Sequence, residues 1–110
     1  LARDTLRNLL DSRAKALTID SIVKLVAEHF DLKVSDLKGA RRQRVIVRPR
    51  SIAMFLCRKH TQSSFPEIGR GFGGKDHSTV MAACKKIKQA LASDPALRSE
   101  LDNLERKLPN

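Results

Sequence analysis

The sequence predicts an all-α domain, a small helical bundle of about six helices. The chain has 110 residues, enough for one modest core but not for the sheet and flanking helices of a nucleotide-binding enzyme. Aromatic residues are scarce, with four Phe and no Trp or Tyr, while Leu, Ile, Val and Ala recur at helical spacing. This pattern favours packed helices over a β-sandwich.

The positive charge is concentrated in the middle of the chain. Residues 1–37 carry six Lys or Arg and six Asp or Glu, residues 38–89 carry thirteen against two, and residues 90–110 carry three against four. A basic stretch between two nearly neutral flanks is expected of a surface that meets a polyanion. Nucleic acid is the first candidate partner.

The cysteine content and the lack of long apolar runs indicate the compartment and the solubility of the protein. The two cysteines, Cys57 and Cys84, could form at most one disulfide, and charged residues interrupt the apolar residues of 1–17 as no signal peptide would allow. No apolar run approaches the roughly 20 residues of a transmembrane helix. We expect a soluble protein in a reducing interior.

The first two elements differ in character. Residues 1–17 place leucines at helical spacing without charge bias, which suits a connector from a preceding domain, and we expect the chain to be a piece of a longer protein. In "LTIDSIVKLVAEHF", Thr18 is placed as an N-cap, and the apolar residues from Ile19 to Phe30 share one face. The sequence therefore predicts a helix from residue 19.

A basic segment follows a short helical turn. "VSDLKG" predicts one turn capped by Ser35 and ended by Gly39. "KGARRQRVIVRPR" then places six cations in thirteen residues with no acid, a pattern that is costly unless a partner neutralises it. We interpret 38–50 as a basic loop, with Pro49 in the first turn of a helix that extends to about Thr61.

The next unit is a short helix, a glycine turn and a longer helix. Ser64 and Glu67 have capping-box spacing, and the helix that they start should end at Gly69 to Gly71 through a left-handed C-cap. Asp76 is placed to cap a helix over 77–92. Its predicted buried face consists of Val80, Ala83, Cys84, Ile87 and Leu91, and Phe72 is expected to be an apolar anchor. Asp94 and Pro95 predict the start of a last helix.

Three other interpretations of "EIGRGFGGKDHSTV" fail on chemistry. Its glycines match dinucleotide and P-loop patterns, but no buried strand precedes them, and Asp76 stands where the P-loop needs a hydroxyl. A zinc site is disfavoured because both cysteines fall on or beside core stripes and no C-x-x-C pair exists. Asp76, His77 and Ser78 are consecutive, so they point apart and cannot act as a catalytic triad.

A helix-turn-helix explains this unit better. In that motif the second helix enters the major groove and presents its N-terminal residues to base edges. Asp76 could accept a hydrogen bond from cytosine or adenine, His77 could contact a thymine methyl group, and Ser78 and Thr79 could donate or accept. Asp76 could serve as N-cap and base contact together. Lys75 lies where a phosphate would pass.

Two stretches carry a resemblance to a known family. "FPEIGRGFGGKDHSTV", with "RRQRVIVRPRSIAM" upstream, resembles the C-terminal DNA-binding domain of the bacterial DnaA replication initiators, and the similarity covers about residues 17–107. The resemblance implies a DNA-binding domain over 18–110 and, over 1–17, a connector helix from an ATPase domain that is absent. It implies binding to DnaA boxes at the replication origin in the bacterial cytoplasm, with the nucleoid.

The resemblance also assigns residues. The family's major-groove contacts fall on Asp76, His77, Ser78 and Thr79 of the 77–92 helix, and its minor-groove arginine falls on Arg42 in the 38–50 loop. Phosphate contacts are expected at Arg44, Arg50, Arg58, Ser64 and Lys75. No catalytic residue, metal or cofactor is expected in this piece, since ATP would bind the absent ATPase domain.

The sequence departs from the family pattern at three positions. Ser51, Phe55 and Lys75 stand where Gln, Tyr and Arg are common, and a lysine cannot make the bidentate contact of an arginine. No heptad seam is evident, so we expect a monomer. The alternative of a different class is binding of acidic membrane lipids by the 1–17 helix, which vesicle co-sedimentation of that peptide would test.

Overall fold

The protein is described by a computed structural model that covers residues 17–39 and 43–108. Within these residues the chain forms helices and turns and no strand, so the all-α prediction is confirmed. The predicted connector helix lies outside the described residues except for Leu17. The helices are α1 (Ile19–His29), α2 (Val34–Lys38), α3 (Arg44–Thr61), α4 (Phe65–Gly71), α5 (His77–Leu91) and α6 (Pro95–Lys107).

The long helix α3 is the centre of the bundle. It packs against α1, α2, α4 and α5, while α6 closes the bundle over α1 and α5. Because partners surround it, α3 buries side chains on most of its circumference. These buried residues are Ile46, Pro49, Arg50, Ile52, Ala53, Met54, Leu56 and Cys57.

The first two helices confirm most of the prediction. Thr18 caps α1, since its side chain accepts a hydrogen bond from the N–H of Ser21 at 3.1 Å. Ser35, however, does not cap α2. The N-cap is Lys33, whose N–H donates to the carboxylate of Asp36 at 3.1 Å, because that carboxylate is three residues away and suitably placed to accept. Gly39 ends α2, as predicted.

The start of α3 was predicted wrongly. Pro49 does not lie in the first turn, because the helix already begins at Arg44 and contains the proline in its interior. A proline at this position lacks the N–H that would bond to the carbonyl of Val45. Val45 is 67% exposed, so water can reach this turn. The predicted loop is therefore helical from residue 44 onward, and the cations Arg44, Arg48 and Arg50 lie on α3.

The glycine turn uses its glycines differently from the prediction. The positive φ angles belong to Gly73 (84°) and Gly74 (83°), so Gly69 and Gly71 do not form a left-handed C-cap. Gly69 is needed for close approach instead, since a Cβ there would lie 2.1 Å from the carbonyl oxygen of Lys75. Ser64 and Glu67 form the predicted capping box, and Phe72 is fully buried.

The last two helices follow the prediction closely. On α5, Val80, Cys84 and Ile87 are buried, while Ala83 and Leu91 are half-buried. Asp94 caps α6 by accepting a hydrogen bond from the N–H of Leu97 at 3.1 Å. The leucines Leu97, Leu101 and Leu104 bury the inner face of α6.

Polar contacts on the outer side fix α6 to the bundle. Glu100 contacts His29 of α1 at 3.2 Å, and Glu105 contacts both Lys59 (2.8 Å) and His60 (2.7 Å) of α3. Burial alone would raise the pKa of Glu105, but the bonds and charges of Lys59 and His60 outweigh it and lower the pKa.

We expect Glu105→Gln to lower the free energy of unfolding at pH 7 by about 1 kcal/mol, as for a half-exposed ion pair. Because the pKa of Glu105 is lower in the folded chain, its contribution exists above the unfolded pKa and disappears as the pH falls through the folded pKa. Urea unfolding at pH 7 and at pH 3 measures this. A stability difference that persists unchanged at pH 3 would contradict the assignment.

Candidate nucleic-acid interface

Helices α4 and α5 form a helix-turn-helix. The short α4 packs against α5, and the turn between them, Phe72 to Asp76, folds back on α4. The carbonyl of Gly69 accepts hydrogen bonds from the N–H groups of Gly74 (3.0 Å) and Lys75 (2.8 Å). These bonds fix the angle at which α5 leaves the turn, which is the feature that a groove-binding helix needs.

The N-terminus of α5 presents four exposed polar side chains, Asp76 to Thr79. We call them the reader residues, after the base contacts predicted for them. Asp76 occupies the N-cap position, yet its side chain makes no capping hydrogen bond. Its carboxylate lies 3.3 Å from Nδ1 of His77, and the two side chains are 68% and 55% exposed. The predicted capping bond is thus not formed, and the carboxylate is accessible to a ligand.

A second group of polar residues lies around the start of α4. Arg58 is exposed, stacks over the ring of Phe65 at 4.4 Å and donates from Nη1 to the carbonyl of Ser63 at 2.8 Å. Ser64 is half-buried, and its hydroxyl oxygen accepts from the N–H of Glu67. The hydroxyl proton can still be donated to a phosphate oxygen. Arg58 and Ser64 are therefore available for backbone contacts.

The start of α3 supplies further cations. Arg44 is exposed at the first helical position, and Arg48, one turn later, forms an ion pair with Asp94 at 3.5 Å. Arg44 also borders a cleft that includes Lys86 of α5. A phosphate could reach Arg44 without displacing a described intramolecular contact.

Arg50, the next predicted phosphate contact, is turned into the protein. It is 8% exposed, and its guanidinium faces inward: Nε donates to the carbonyl of Leu37 at 2.9 Å and Nη2 to that of Asp36 at 3.0 Å. Burial lowers the pKa of Arg50. A phosphate contact would require breaking these bonds and leaving the carbonyls without a partner, which is costly.

Lys75 is also occupied within the protein. Its ammonium donates to the carbonyls of Lys38 (3.1 Å), Gly39 (2.5 Å) and Phe72 (2.8 Å). Burial, together with the charge of Arg50, lowers the pKa of Lys75. The three donors of an ammonium group are matched by three carbonyls. The side chain thus bridges α2 and the glycine turn, and its phosphate contact stays a prediction.

Arg42, the predicted minor-groove residue, lies outside the described residues. In the sequence it lies between Gly39 at the end of α2 and Gln43 before α3. Of these two flanking residues, Gly39 accepts a hydrogen bond from Lys75 of the glycine turn.

An apolar groove beside the reader residues was not predicted. It measures about 630 Å³, lies between α3 and α5, and is lined by Phe55, Phe65, Met81 and Cys84 with cations at its rim. Met81 is 47% exposed. Because Met81 lies four residues after His77, the two side chains share one face of α5, and the exposure of Met81 could have been predicted from the sequence.

The rival interpretations of the glycine stretch receive no support from the described residues. The turn follows helix α4, so the strand that a phosphate-binding loop requires is replaced by a helix. Over residues 17–39 and 43–108, no group of three or more His, Cys, Asp or Glu side chains converges as metal ligands would. None of the helices in the same ranges is long and apolar enough to cross a membrane.

Comparison with known proteins identifies related chains. The family model described as "Bacterial dnaA protein helix-turn-helix" matches residues 19–87. The chain is 48% identical over 108 residues to the chromosomal replication initiator protein DnaA of Geobacter sulfurreducens, and 48% identical over 107 residues to that of Ehrlichia ruminantium strain Gardel. These matches cover 98% and 97% of this chain and 24% and 23% of the relatives. The chain thus spans about a quarter of their length.

Proposed function

The chain belongs to the bacterial DnaA family, and we propose that it binds double-stranded DNA sequence-specifically at DnaA boxes of the chromosomal replication origin. In this proposal it anchors a longer replication initiator to the origin. It has no catalytic role and takes no cofactor itself, and ATP would bind the part of the longer protein that lies outside this chain. The proposed location is the nucleoid.

One observation carries the proposal: the exposed reader residues at the N-terminus of α5. Polar side chains that project from the start of a helix after a tight turn are suited to meet base edges in the major groove. The carboxylate of Asp76 can accept a hydrogen bond from the amino group of cytosine or adenine. His77 can contact a thymine methyl group, and the hydroxyls of Ser78 and Thr79 can donate or accept.

Contacts to the DNA backbone are proposed on either side of α5. Arg44 at the start of α3 and Arg58 with Ser64 near the start of α4 have donors available for phosphate oxygens. Arg42 is proposed to enter the minor groove, where an arginine reads the narrow width and negative potential of A·T-rich DNA. Backbone contacts set the register, and the base contacts provide discrimination.

Fluorescence anisotropy tests the proposal directly. A labelled duplex with one DnaA box is compared with a scrambled duplex of the same composition at two salt concentrations. We expect the box to bind at least ~1000-fold more tightly at physiological salt, as a monomer per box. If both duplexes bind alike and both lose affinity as salt rises, the chain is a nonspecific polyanion binder whose affinity comes from its net charge of +10.

Arg42→Ala should reduce the preference for A·T pairs outside the major-groove contacts by about 1 kcal/mol per position, because the minor-groove contact is lost. Competition binding with duplexes substituted at those pairs measures this preference. Arg41→Ala, which removes the same charge one residue earlier, is the matched control and should weaken the box and the scrambled duplex alike. An unchanged A·T preference in Arg42→Ala would remove Arg42 from the site.

A further inference from the structure

Four consecutive backbone carbonyls, those of residues 36–39 at the end of α2, accept hydrogen bonds from two cations. Arg50 binds the carbonyls of Asp36 and Leu37, and Lys75 binds those of Lys38 and Gly39. We call these four groups the α2 carbonyl cluster. The last carbonyls of a helix lack intrahelical partners and carry partial negative charge, so two cations are a physically suitable cap.

The same cluster touches the glycine turn through its backbone. Gly73 adopts φ +84°, and a Cβ at this position would lie 2.1 Å from the carbonyl oxygen of Lys38. The ammonium of Lys75 also binds the carbonyl of Phe72, which belongs to the turn itself. The turn and the end of α2 are therefore in direct contact, and Lys75 bonds to both.

The position of the cluster in the chain gives it a role beyond stability. In the sequence only three residues, 40–42, separate Gly39 from Gln43, and this segment contains the proposed minor-groove residue Arg42. On the other side, Lys75 immediately precedes Asp76, the first reader residue. Gly39, on the sequence side of the proposed minor-groove residue, and the turn before the proposed major-groove helix thus share one set of hydrogen bonds.

On the basis of the proposed function, we propose that Lys75 and Arg50 are positioning residues. They hold Gly39, which lies three residues before Arg42 in the sequence, at a fixed distance from the reader residues. The pair would make recognition of the two grooves a single rigid-body event. This assignment replaces a direct phosphate contact for both residues. Moving Lys75 to a phosphate would leave three carbonyls without their donor.

The electrostatics of the pair support a role inside the protein. Arg50 is buried. The pKa of Lys75 is lowered mainly by the burial of Lys75 and, to a smaller extent, by the positive charge of Arg50. Within the described residues, the hydrogen bonds of both cations go to backbone carbonyls. An arrangement that holds two like charges together must gain from the carbonyls what it loses by desolvation and repulsion.

The salt dependence of binding separates the two roles of Lys75. Lys75→Met keeps the length of the side chain and removes its donors, and we expect about 10-fold weaker binding to the DnaA-box duplex with an unchanged slope of log K against log salt. Arg58→Met, at a proposed phosphate contact, should reduce the magnitude of that slope by about 0.9. If Lys75→Met reduces the slope by a similar amount, Lys75 is a phosphate contact and the positioning role is wrong.

A double-mutant cycle tests whether Lys75 acts through Arg42. If Lys75 acts on Arg42 by holding Gly39, the A·T preference lost in Arg42→Ala should already be largely lost in Lys75→Met, so that the effects of the two changes are strongly non-additive. Additive effects would overturn the proposal. Arg58→Met combined with Arg42→Ala is the matched cycle and should be additive.

Two measurements keep this test independent of folding and of the proposed function. In the free wild-type protein, NMR should show the ammonium protons of Lys75 protected from exchange relative to the exposed Lys85, and equal exchange would contradict the hydrogen bonds. If the wild-type protein binds the box and the scrambled duplex equally, the proposed function is wrong. The positioning role is then wrong as well, even if the NMR experiment shows that the ammonium protons of Lys75 are protected.

Discussion

Replacing Gly73 by alanine is expected to lower the free energy of unfolding by about 3 kcal/mol, the largest effect on stability that we predict. Two penalties combine at this position. A side chain in the left-handed region costs ~1–2 kcal/mol, and an added methyl group without space costs ~1–3 kcal/mol. The added Cβ would lie 2.1 Å from the carbonyl oxygen of Lys38, and backbone cannot move aside as a flexible side chain could.

Gly74 provides the matched control for this prediction. Its φ of +83° is almost the same as that of Gly73, but a Cβ there would meet nothing within 4 Å. Gly74→Ala should therefore cost only the conformational penalty of ~1 kcal/mol. Urea unfolding followed by circular dichroism measures both variants. Equal destabilisation of the two would show that the turn does not press against the end of α2.

The largest effect on binding is expected at the N-terminus of α5. Asp76→Ala or His77→Ala should weaken binding to the DnaA box by ~1–3 kcal/mol and change binding to the scrambled duplex little, because proposed base contacts are removed and the cations that meet phosphates stay in place. Asp76 makes no capping hydrogen bond, so Asp76→Ala should leave the folded domain nearly as stable as wild type. Anisotropy with both duplexes gives the two affinities.

Lys88→Ala is a suitable comparison for these variants, since Lys88 is exposed on the same helix far from its start. Removing its charge should weaken both duplexes to a similar small extent. If Asp76→Ala and His77→Ala lowered the two affinities equally, as expected of Lys88→Ala, the reader residues would not be reading bases.

The helices were predictable because their signals are local. Thr18, Ser64 with Glu67, and Asp94 with Pro95 are each followed by an apolar stripe of helical period, and the helices begin at the next residue in all three cases. The exposure of the reader residues was also predictable, since the apolar stripe of α5 starts only at Val80. Periodicity and capping depend on neighbours in the sequence.

The misplaced features depend on contacts between distant residues. Pro49 lies inside α3, where a local rule predicts a helix start, because the surrounding helices bury this part of α3 and stabilise it. That the side chains of Arg50 and Lys75 face inward could not be predicted from the sequence either. A sequence shows that two cations are present, but only the packing of α2 against α3 shows that backbone carbonyls lie within their reach.

The buried thiols have a practical consequence for labelling chemistry. The chain has two cysteines, Cys57 and Cys84, and both are buried and free. Burial raises the pKa of Cys84 and, with the charges of Cys84 and Asp20, raises that of Cys57 to about 12. Because the thiolate is the reactive form, a maleimide at neutral pH should modify a cysteine introduced at the exposed Gln89 well before either native thiol. A fluorophore can thus be attached to α5 without first removing core residues.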